Sequence, residues 1–118
     1  MNGPPTDAII IFITAPNKEE ASRLADMLVE SRLAGCVQIL PGIESVYRWQ
    51  GHVERQDEVL LIAKTLKAKF DDIEREVRAL HSYETPEIVA LPIVEGSVPY
   101  LEWLKAGVNT DADSAPAD

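Results

Sequence analysis

The fold is decided by residues 36–65, "CVQILPGIESVYRWQGHVERQDEVLLIAKT", in which two segments with the residue pattern of β-strands flank Gln50-Gly51. Glycine allows a tight reversal at such a position, because it adopts a positive φ without a steric penalty. Pro41-Gly42 interrupts the first segment and predicts a bend or a bulge there. The stretch therefore predicts one long, bent β-hairpin at the centre of the chain.

Upstream of the hairpin, the sequence predicts a strand and then a helix. Residues 8–15, "AIIIFITA", are continuously apolar and rich in β-branched side chains, which is typical of a strand buried on both faces. Asn17 is a candidate N-cap for the helix, Glu20 a candidate capping-box partner, and Gly35 a candidate terminator. The apolar stripe of this helix is predicted to consist of Ala21, Leu24, Ala25, Leu28 and Val29.

Downstream of the hairpin, the sequence predicts a helix, a strand and a short closing helix. The first helix starts after Thr65 and ends near His81. Residues 86–96, "PEIVALPIVEG", predict a strand in which Pro92 indicates an edge or a bulge. Ser97 is the candidate N-cap of the closing helix. The apolar face of the first helix is predicted to consist of Phe70, Ile73, Val77 and Leu80.

The order β-α-β-β-α-β plus one helix predicts an α+β fold, the ferredoxin-like sandwich, with a four-stranded antiparallel sheet and both main helices on one face. The domain is expected to span residues 8–107, between a disordered N-terminus (1–7) and a disordered acidic tail (108–118). Such a sheet leaves its other face bare, and Tyr47 and Trp49 share one side of the hairpin. We therefore expect a homo-oligomer.

Composition excludes several classes of function. The formal net charge of −9 opposes nucleic-acid binding, which depends on clustered Lys and Arg. No apolar run reaches the roughly 18–20 residues of a membrane span, and no signal peptide is evident, so we expect a cytoplasmic protein without a membrane partner. The single cysteine, Cys36, excludes an internal disulfide and a CxxC motif.

Five phrases of the sequence resemble the CutA family of divalent-cation tolerance proteins. They are "FITAPN" (12–17), "LVESRLAGCVQILPGIESVYRWQG" (28–51), "EVLLIAKT" (58–65), "HSYETPEIVALPI" (81–93) and "YLEWL" (100–104). The resemblance runs from about Ile10 to Leu104, in the order and with the spacing of the family. It implies a ferredoxin-like subunit assembled into a homotrimer that is involved in the response to metal ions.

The resemblance also implies a candidate site for copper(II) or another divalent cation. In the members described as binding copper, the proposed ligands are a cysteine just before "TAP" and two adjacent histidines before "PYxxPE". Here Ile13 and Leu80 occupy two of these three positions, and His81 alone matches. His81 with Glu84 is therefore the candidate metal site. The favoured alternative is a histidine at a helix C-terminus that binds the terminal carbonyls.

A second candidate site is a ligand cleft between subunits, built from the polar set Glu58, Lys64, Tyr83, Glu84 and Glu87. Lys64 with nearby carboxylates suits a small anionic ligand, and the alternative is a network of interface salt bridges. Three aromatic residues are predicted to fill an interface, namely Tyr47, Trp49 and Trp103. Cys36 is interpreted as a buried hydrophobe rather than a thiolate ligand, and His52 as a solvated residue at the hairpin tip.

No motif of enzyme chemistry occurs, since GxSxG, GxxxxGK[ST] and HExxH are all absent from the sequence. The prediction is a non-enzymatic trimer with no organic cofactor that takes part in metal tolerance, with weak copper(II) binding at His81. One alternative is a trimeric sensor that holds a small ligand in its intersubunit clefts. Another is a structural scaffold that presents a partner protein, with the tail from Val108 as the contact.

Overall fold

The computed structural model describes residues 7–108, which form four strands and three α-helices. The strands are β1 (Ala8–Ala15), β2 (Cys36–Trp49), β3 (His52–Leu66) and β4 (Ile88–Pro92). The helices are α1 (Lys18–Glu30), α2 (Phe70–Leu80) and α3 (Val98–Val108), and a 3₁₀ turn (Lys67–Lys69) precedes α2. The predicted disordered termini lie outside the described residues, except for Asp7 and Val108. Val108 is buried at the end of α3.

The sheet has the order β2-β3-β1-β4, and every neighbouring pair is antiparallel. This order confirms the predicted α+β, ferredoxin-like arrangement. The core lies between α1, α2 and one face of the sheet, because apolar residues of both layers pack into a single cluster there. The largest fully buried side chains of this cluster are Ile11, Ile13, Leu24, Leu28, Leu61, Ile73 and Val77.

The central hairpin confirms both predictions made from its turn residues. Gln50 (φ 50°) and Gly51 (φ 84°) form the two-residue turn, and Trp49 pairs with His52 across it. Two successive positive φ angles are characteristic of a turn whose twist matches that of the flanking strands. The register of β2 against β3 shifts between Leu40 and Ile43, so the predicted bulge is also present.

Helix α1 begins as predicted but ends earlier. The Asn17 side chain accepts a hydrogen bond from the backbone N–H of Glu20 at 2.8 Å, which confirms the N-cap. The predicted terminator Gly35 is wrong, because the helix ends at Glu30 and Arg32 (φ 63°) adopts the left-handed conformation instead. Ser31 supports this ending, because its hydroxyl donates to the carbonyl of Met27 at 2.6 Å.

Gly35 has a packing role rather than a conformational one. A Cβ at this position would lie 2.7 Å from Cδ1 of Leu104, a fully buried residue of α3. The guanidinium of Arg32 donates to the carbonyl of Gly107 at 3.0 Å, next to the same contact. The loop that follows α1 therefore provides the surface on which α3 docks.

One face of the sheet carries no helix along most of its length. Directly paired residues of antiparallel strands share a face, so Phe12, Ile62 and Val89 lie on this side together. Leu40, Val89 and Leu91 are about half exposed there. Two predicted core positions are also exposed, because Val29 and Leu80 lie at the edges of their helical stripes. No helix within residues 7–108 is long and apolar enough to cross a membrane.

Candidate functional site

His81 lies at the junction between α2 and the loop that leads to β4, and its side chain is completely buried. Its Nε2 lies 2.7 Å from the carbonyl oxygen of Thr14 in β1. A carbonyl only accepts, so Nε2 carries the proton and donates. Its Nδ1 accepts from the backbone N–H of Tyr83 at 3.0 Å. Both ring nitrogens are therefore used, and the neutral ring has no free lone pair for a metal ion.

These contacts differ from the helix-end role predicted for His81. Its side chain crosses to β1 instead of binding carbonyls at the end of α2, because the backbone turns into an extended conformation at this residue. A buried carboxylate, Glu20 of α1, lies beside it, with Oε2 at 3.3 Å from Nδ1. The same oxygen accepts from the backbone N–H of Ser82 at 2.8 Å, so Glu20 does not complete a capping box. Together His81 and Glu20 fix the start of the α2–β4 loop.

The loop fixed in this way forms one wall of an open cavity of about 520 Å³, which we call the hairpin cavity. The opposite wall is one side of the hairpin. Three aromatic side chains line it, from Tyr47, Trp49 and Tyr83. Two carboxylates, those of Glu58 and Glu87, line it as well. The remaining lining residues are Thr14, Ser45, Val46 and Gln56.

A chain of hydrogen bonds crosses the hairpin cavity and ends on Glu58. The Tyr47 hydroxyl donates to Oε1 of Gln56 at 2.8 Å, and Nε2 of Gln56 donates to the Tyr83 hydroxyl at 2.7 Å. The Tyr83 hydroxyl donates to Oε2 of Glu58 at 2.9 Å, and the Ser45 hydroxyl donates to its Oε1 at 2.6 Å. The donors of the chain thus converge on one carboxylate.

Tyr83 is the residue of the cavity whose ionisation the surroundings change most clearly. Burial first, and then the hydrogen bond to the Glu58 carboxylate, raise the pKa of Tyr83 from 10.0 to about 12. Both causes disfavour the phenolate, since burial removes it from water and Glu58 would repel it. Tyr83 therefore remains a hydrogen-bond donor to Glu58 at neutral pH.

Glu58 is a buried carboxylate without a cationic partner among residues 7–108. It is only 7% exposed, and its contacts there are the two hydroxyl donors, Ser45 and Tyr83. A buried charge is ordinarily compensated by an opposite charge or by a metal ion. No Lys or Arg of the described chain lines the cavity, and Glu87 adds a second negative charge. The cavity is therefore electrostatically suited to a cation.

Several of the predicted site residues are not brought to this cavity. Lys64 lies six residues beyond Glu58 on β3, about 20 Å away at the rise of a strand, and its Nζ is 5.8 Å from the ring centroid of Tyr100. Glu84 is exposed in a shallow groove on the other side of the loop, beside Arg75 and Arg78. Within one chain Lys64 and Glu84 thus lie apart from this cavity, and the anion cleft between subunits stays a prediction.

The other candidates are also separate from the cavity. Trp103 is 54% exposed on α3 and packs against Tyr100, with 5.5 Å between the ring centroids. Cys36 is a half-buried free thiol opposite Lys64 in the register. His52 is exposed at the start of β3. Within residues 7–108, no three His, Cys, Asp or Glu side chains converge to hold a metal ion.

Sequence reasoning missed Glu20 and four residues of the cavity lining, namely Thr14, Ser45, Val46 and Gln56. The sequence of the hairpin contains a signal for two of them, Ser45 and Gln56. Once the turn is placed at Gln50-Gly51, antiparallel pairing puts Ser45 opposite Gln56 and on the side of Tyr47 and Trp49. Glu20 had no such signal, because its contact with the loop depends on how α1 packs beside α2.

These features define a ferredoxin-like α+β protein with an acidic, aromatic-walled cavity along one side of its central hairpin. The chain belongs to the CutA1 divalent ion tolerance protein family, whose model matches residues 9–107. The resemblance seen in the five sequence phrases is confirmed by this match.

Similar proteins come from bacteria and plants. "Divalent-cation tolerance protein CutA" of Thermus thermophilus is 51% identical over 96 residues, which cover 81% of this chain and 93% of that protein. "Protein CutA 1, chloroplastic" of Oryza sativa is 49% identical over 98 residues, or 83% of this chain. The chain spans about half the length of the plant relatives it matches. The crystal structure of CutA1 from Oryza sativa gives a TM-score of 0.86 at 46% identity, covering 89% of this chain and 96% of that one.

Proposed function

We propose that this protein is a non-enzymatic, trimeric divalent-cation tolerance protein that associates with cations in the hairpin cavity. The observation that carries the proposal is the Glu58 carboxylate, which is buried against the cavity with no counter-charge in residues 7–108. Glu87 provides a second set of carboxylate oxygens on the same cavity. Oxygen donors of this kind suit hard divalent cations such as Mn²⁺ or Mg²⁺, which retain several waters when few protein ligands are available.

Copper(II) binding is weak in this proposal and does not depend on His81. A metal at Nδ1 would displace the Tyr83 backbone hydrogen bond, and a metal at Nε2 would displace the bond to Thr14. Copper favours imidazole and thiolate donors, and the hairpin cavity is lined by neither. Carboxylates alone therefore provide a lower affinity for copper than a site with imidazole or thiolate ligands does.

Trimer formation is part of the proposal, because the bare face of the sheet needs a cover. The half-exposed Leu40, Val89 and Leu91 share this face with half-buried apolar residues of β1 and β3. A small protein exposes such a surface at an interface rather than to water. The scaffold alternative gains no support from the structure, since the tail after Val108 lies outside the described residues.

The experiment is a titration of the intact oligomer with Mn²⁺ and with Cu²⁺, each against a competing chelator. Wild type is compared with Glu58→Gln, Glu87→Gln and His81→Ala. Glu84→Gln is the matched control, because Glu84 is an exposed carboxylate outside the cavity. We expect Mn²⁺ affinity to fall by roughly tenfold or more in Glu58→Gln, since a charged ligand is lost, and to remain unchanged in Glu84→Gln.

The proposal is wrong if Glu58→Gln binds Mn²⁺ as tightly as wild type does. A loss of binding only in His81→Ala would also contradict it, and would return the site to the histidine.

A further inference from the structure

We propose that the hairpin cavity accepts an organic ammonium ion, a polyatomic cation with alkyl groups on nitrogen, in addition to hydrated metal ions. This inference rests on the proposed cation site and specifies a class of ligand for it. Three properties of the cavity carry the inference: the sign of its charge, the aromatic character of its walls and its volume.

The charge of the cavity favours a cationic ligand, and the hydroxyl groups of its lining do not oppose one. Tyr47, Tyr83 and Ser45 already donate their hydroxyl protons within the chain of bonds that ends on Glu58. Their oxygens keep lone pairs, and a carboxylate accepts about four bonds, of which two are used on Glu58. The cavity therefore offers mainly acceptors, together with the uncompensated charges of Glu58 and Glu87.

The aromatic walls distinguish an organic cation from a metal ion. Tyr47, Trp49 and Tyr83 line the same cavity as the two carboxylates. Aromatic faces attract ammonium groups, and alkyl groups on the nitrogen add apolar contact. A hydrated Mn²⁺ gains little from these walls, because its water shell separates it from the rings. The walls are therefore better matched to an alkylammonium ion.

The volume leads to the same conclusion. A cavity of about 520 Å³ falls within the range of small-molecule sites, which is roughly 300–1,000 Å³. A water molecule occupies about 30 Å³ in the liquid, so a single ion with one water shell leaves much of the space unfilled. A molecule of several carbon atoms with a cationic head fills it better.

The probe for this inference is choline, and the neutral isostere 3,3-dimethyl-1-butanol is its control. Both are titrated into the intact oligomer by calorimetry, with Glu58→Gln, Trp49→Leu and the control Glu84→Gln. We expect choline to bind and the isostere not to bind. Affinity should fall by roughly tenfold in Glu58→Gln, because a hydrogen-bonded or paired charge contributes on that scale, and should be unchanged in Glu84→Gln.

Fluorescence locates the bound cation. In a Trp103→Phe background Trp49 is the only remaining tryptophan, because the chain has two. Choline should then change the emission of Trp49 with the same midpoint as the calorimetric titration. Light scattering checks that Trp49→Leu retains the assembly, and Glu58→Gln carries the test if it does not.

The outcomes separate this inference from the proposed function. Equal binding of choline and its isostere, undiminished choline binding in Glu58→Gln, or no choline binding at all overturns the inference. If Mn²⁺ still binds through Glu58 in that last case, the proposed function stands alone. If choline binds and Mn²⁺ neither binds nor competes with it, the ligand class is supported and the metal role fails.

Discussion

At the scale of single residues, His81 is held at both ring nitrogens inside the protein. We expect His81→Ala to lower the free energy of unfolding by about 1–3 kcal/mol, because the carbonyl of Thr14 and the N–H of Tyr83 lose their partners. Urea unfolding at fixed protein concentration measures the change. The other histidine of the chain, His52, is exposed and provides the matched control.

The control variant, His52→Ala, should change the free energy of unfolding by less than about 0.5 kcal/mol. If His81→Ala proves equally harmless, His81 is not the anchor of the loop.

The raised pKa of Tyr83 predicts how the free energy of unfolding depends on pH in the alkaline range. Its pKa is raised from 10.0 to about 12 in the folded chain by burial and by the bond to Glu58. The unfolded state therefore releases the phenolic proton first as the pH rises. The contribution of Tyr83 is fully present below about pH 10 and is lost as the pH rises towards 12.

The measurement is urea unfolding at several alkaline pH values for wild type and Tyr83→Phe. Wild type should lose more stability than the variant over this interval. Parallel loss in both proteins would show that Tyr83 is not the responsible group.

At the scale of elements, the contact between the α1–β2 loop and α3 depends on the missing side chain of Gly35. We expect Gly35→Ala to lower the free energy of unfolding by about 1–3 kcal/mol, because the new methyl group meets the buried Leu104 at 2.7 Å. Gly107→Ala is the control, since a Cβ there lies at an ordinary 3.6 Å from Gly35. Thermal unfolding of both variants tests the contact. If Gly35→Ala is as stable as wild type, the contact does not depend on the missing side chain.

Most elements were predictable from local signals. The turn at Gln50-Gly51, the bulge near Pro41-Gly42 and the N-cap at Asn17 each have a chemical signature within a few residues. The end of α1 was not predictable in this way. A left-handed Arg32 has no such signature, and the reason for Gly35 lies in α3, about seventy residues further along the chain.

The candidate site was less predictable than the fold for the same physical reason. Tyr83, Glu58 and Glu87 stood out because they are polar or aromatic residues beside predicted strands, and the cavity contains them. Lys64 lies at the far end of β3 within one chain, so its grouping with these residues in a cleft between subunits stays a prediction. Glu20 became visible only when the packing of α1 beside the α2–β4 loop was known.

At the scale of the whole molecule, the bare face of the sheet requires a second layer. We expect Leu91→Glu to dissociate the oligomer, because it places a charge on the apolar face of the sheet, where Leu91 is half exposed in one subunit. Val29→Glu is the control, since Val29 is similarly exposed (44%) but lies on the helical layer. Light scattering should give three chain masses for wild type and for Val29→Glu. A wild-type monomer at micromolar concentration would contradict the assembly.

The acidity of the chain acts at the same scale. A net charge of −9 attracts cations to the whole surface, so a bulk affinity alone does not identify a site. The hairpin cavity differs from the rest of the acidic surface because its carboxylate, that of Glu58, is buried and is held in place by two hydrogen bonds.

The central claim is that cations occupy the hairpin cavity, and the most direct measurement is the position of Mn²⁺ in crystals of the oligomer, located by its anomalous scattering. The account predicts a peak between the carboxylates of Glu58 and Glu87, which disappears in Glu58→Gln. A peak at His81, or none in the cavity at a saturating Mn²⁺ concentration, would contradict the claim.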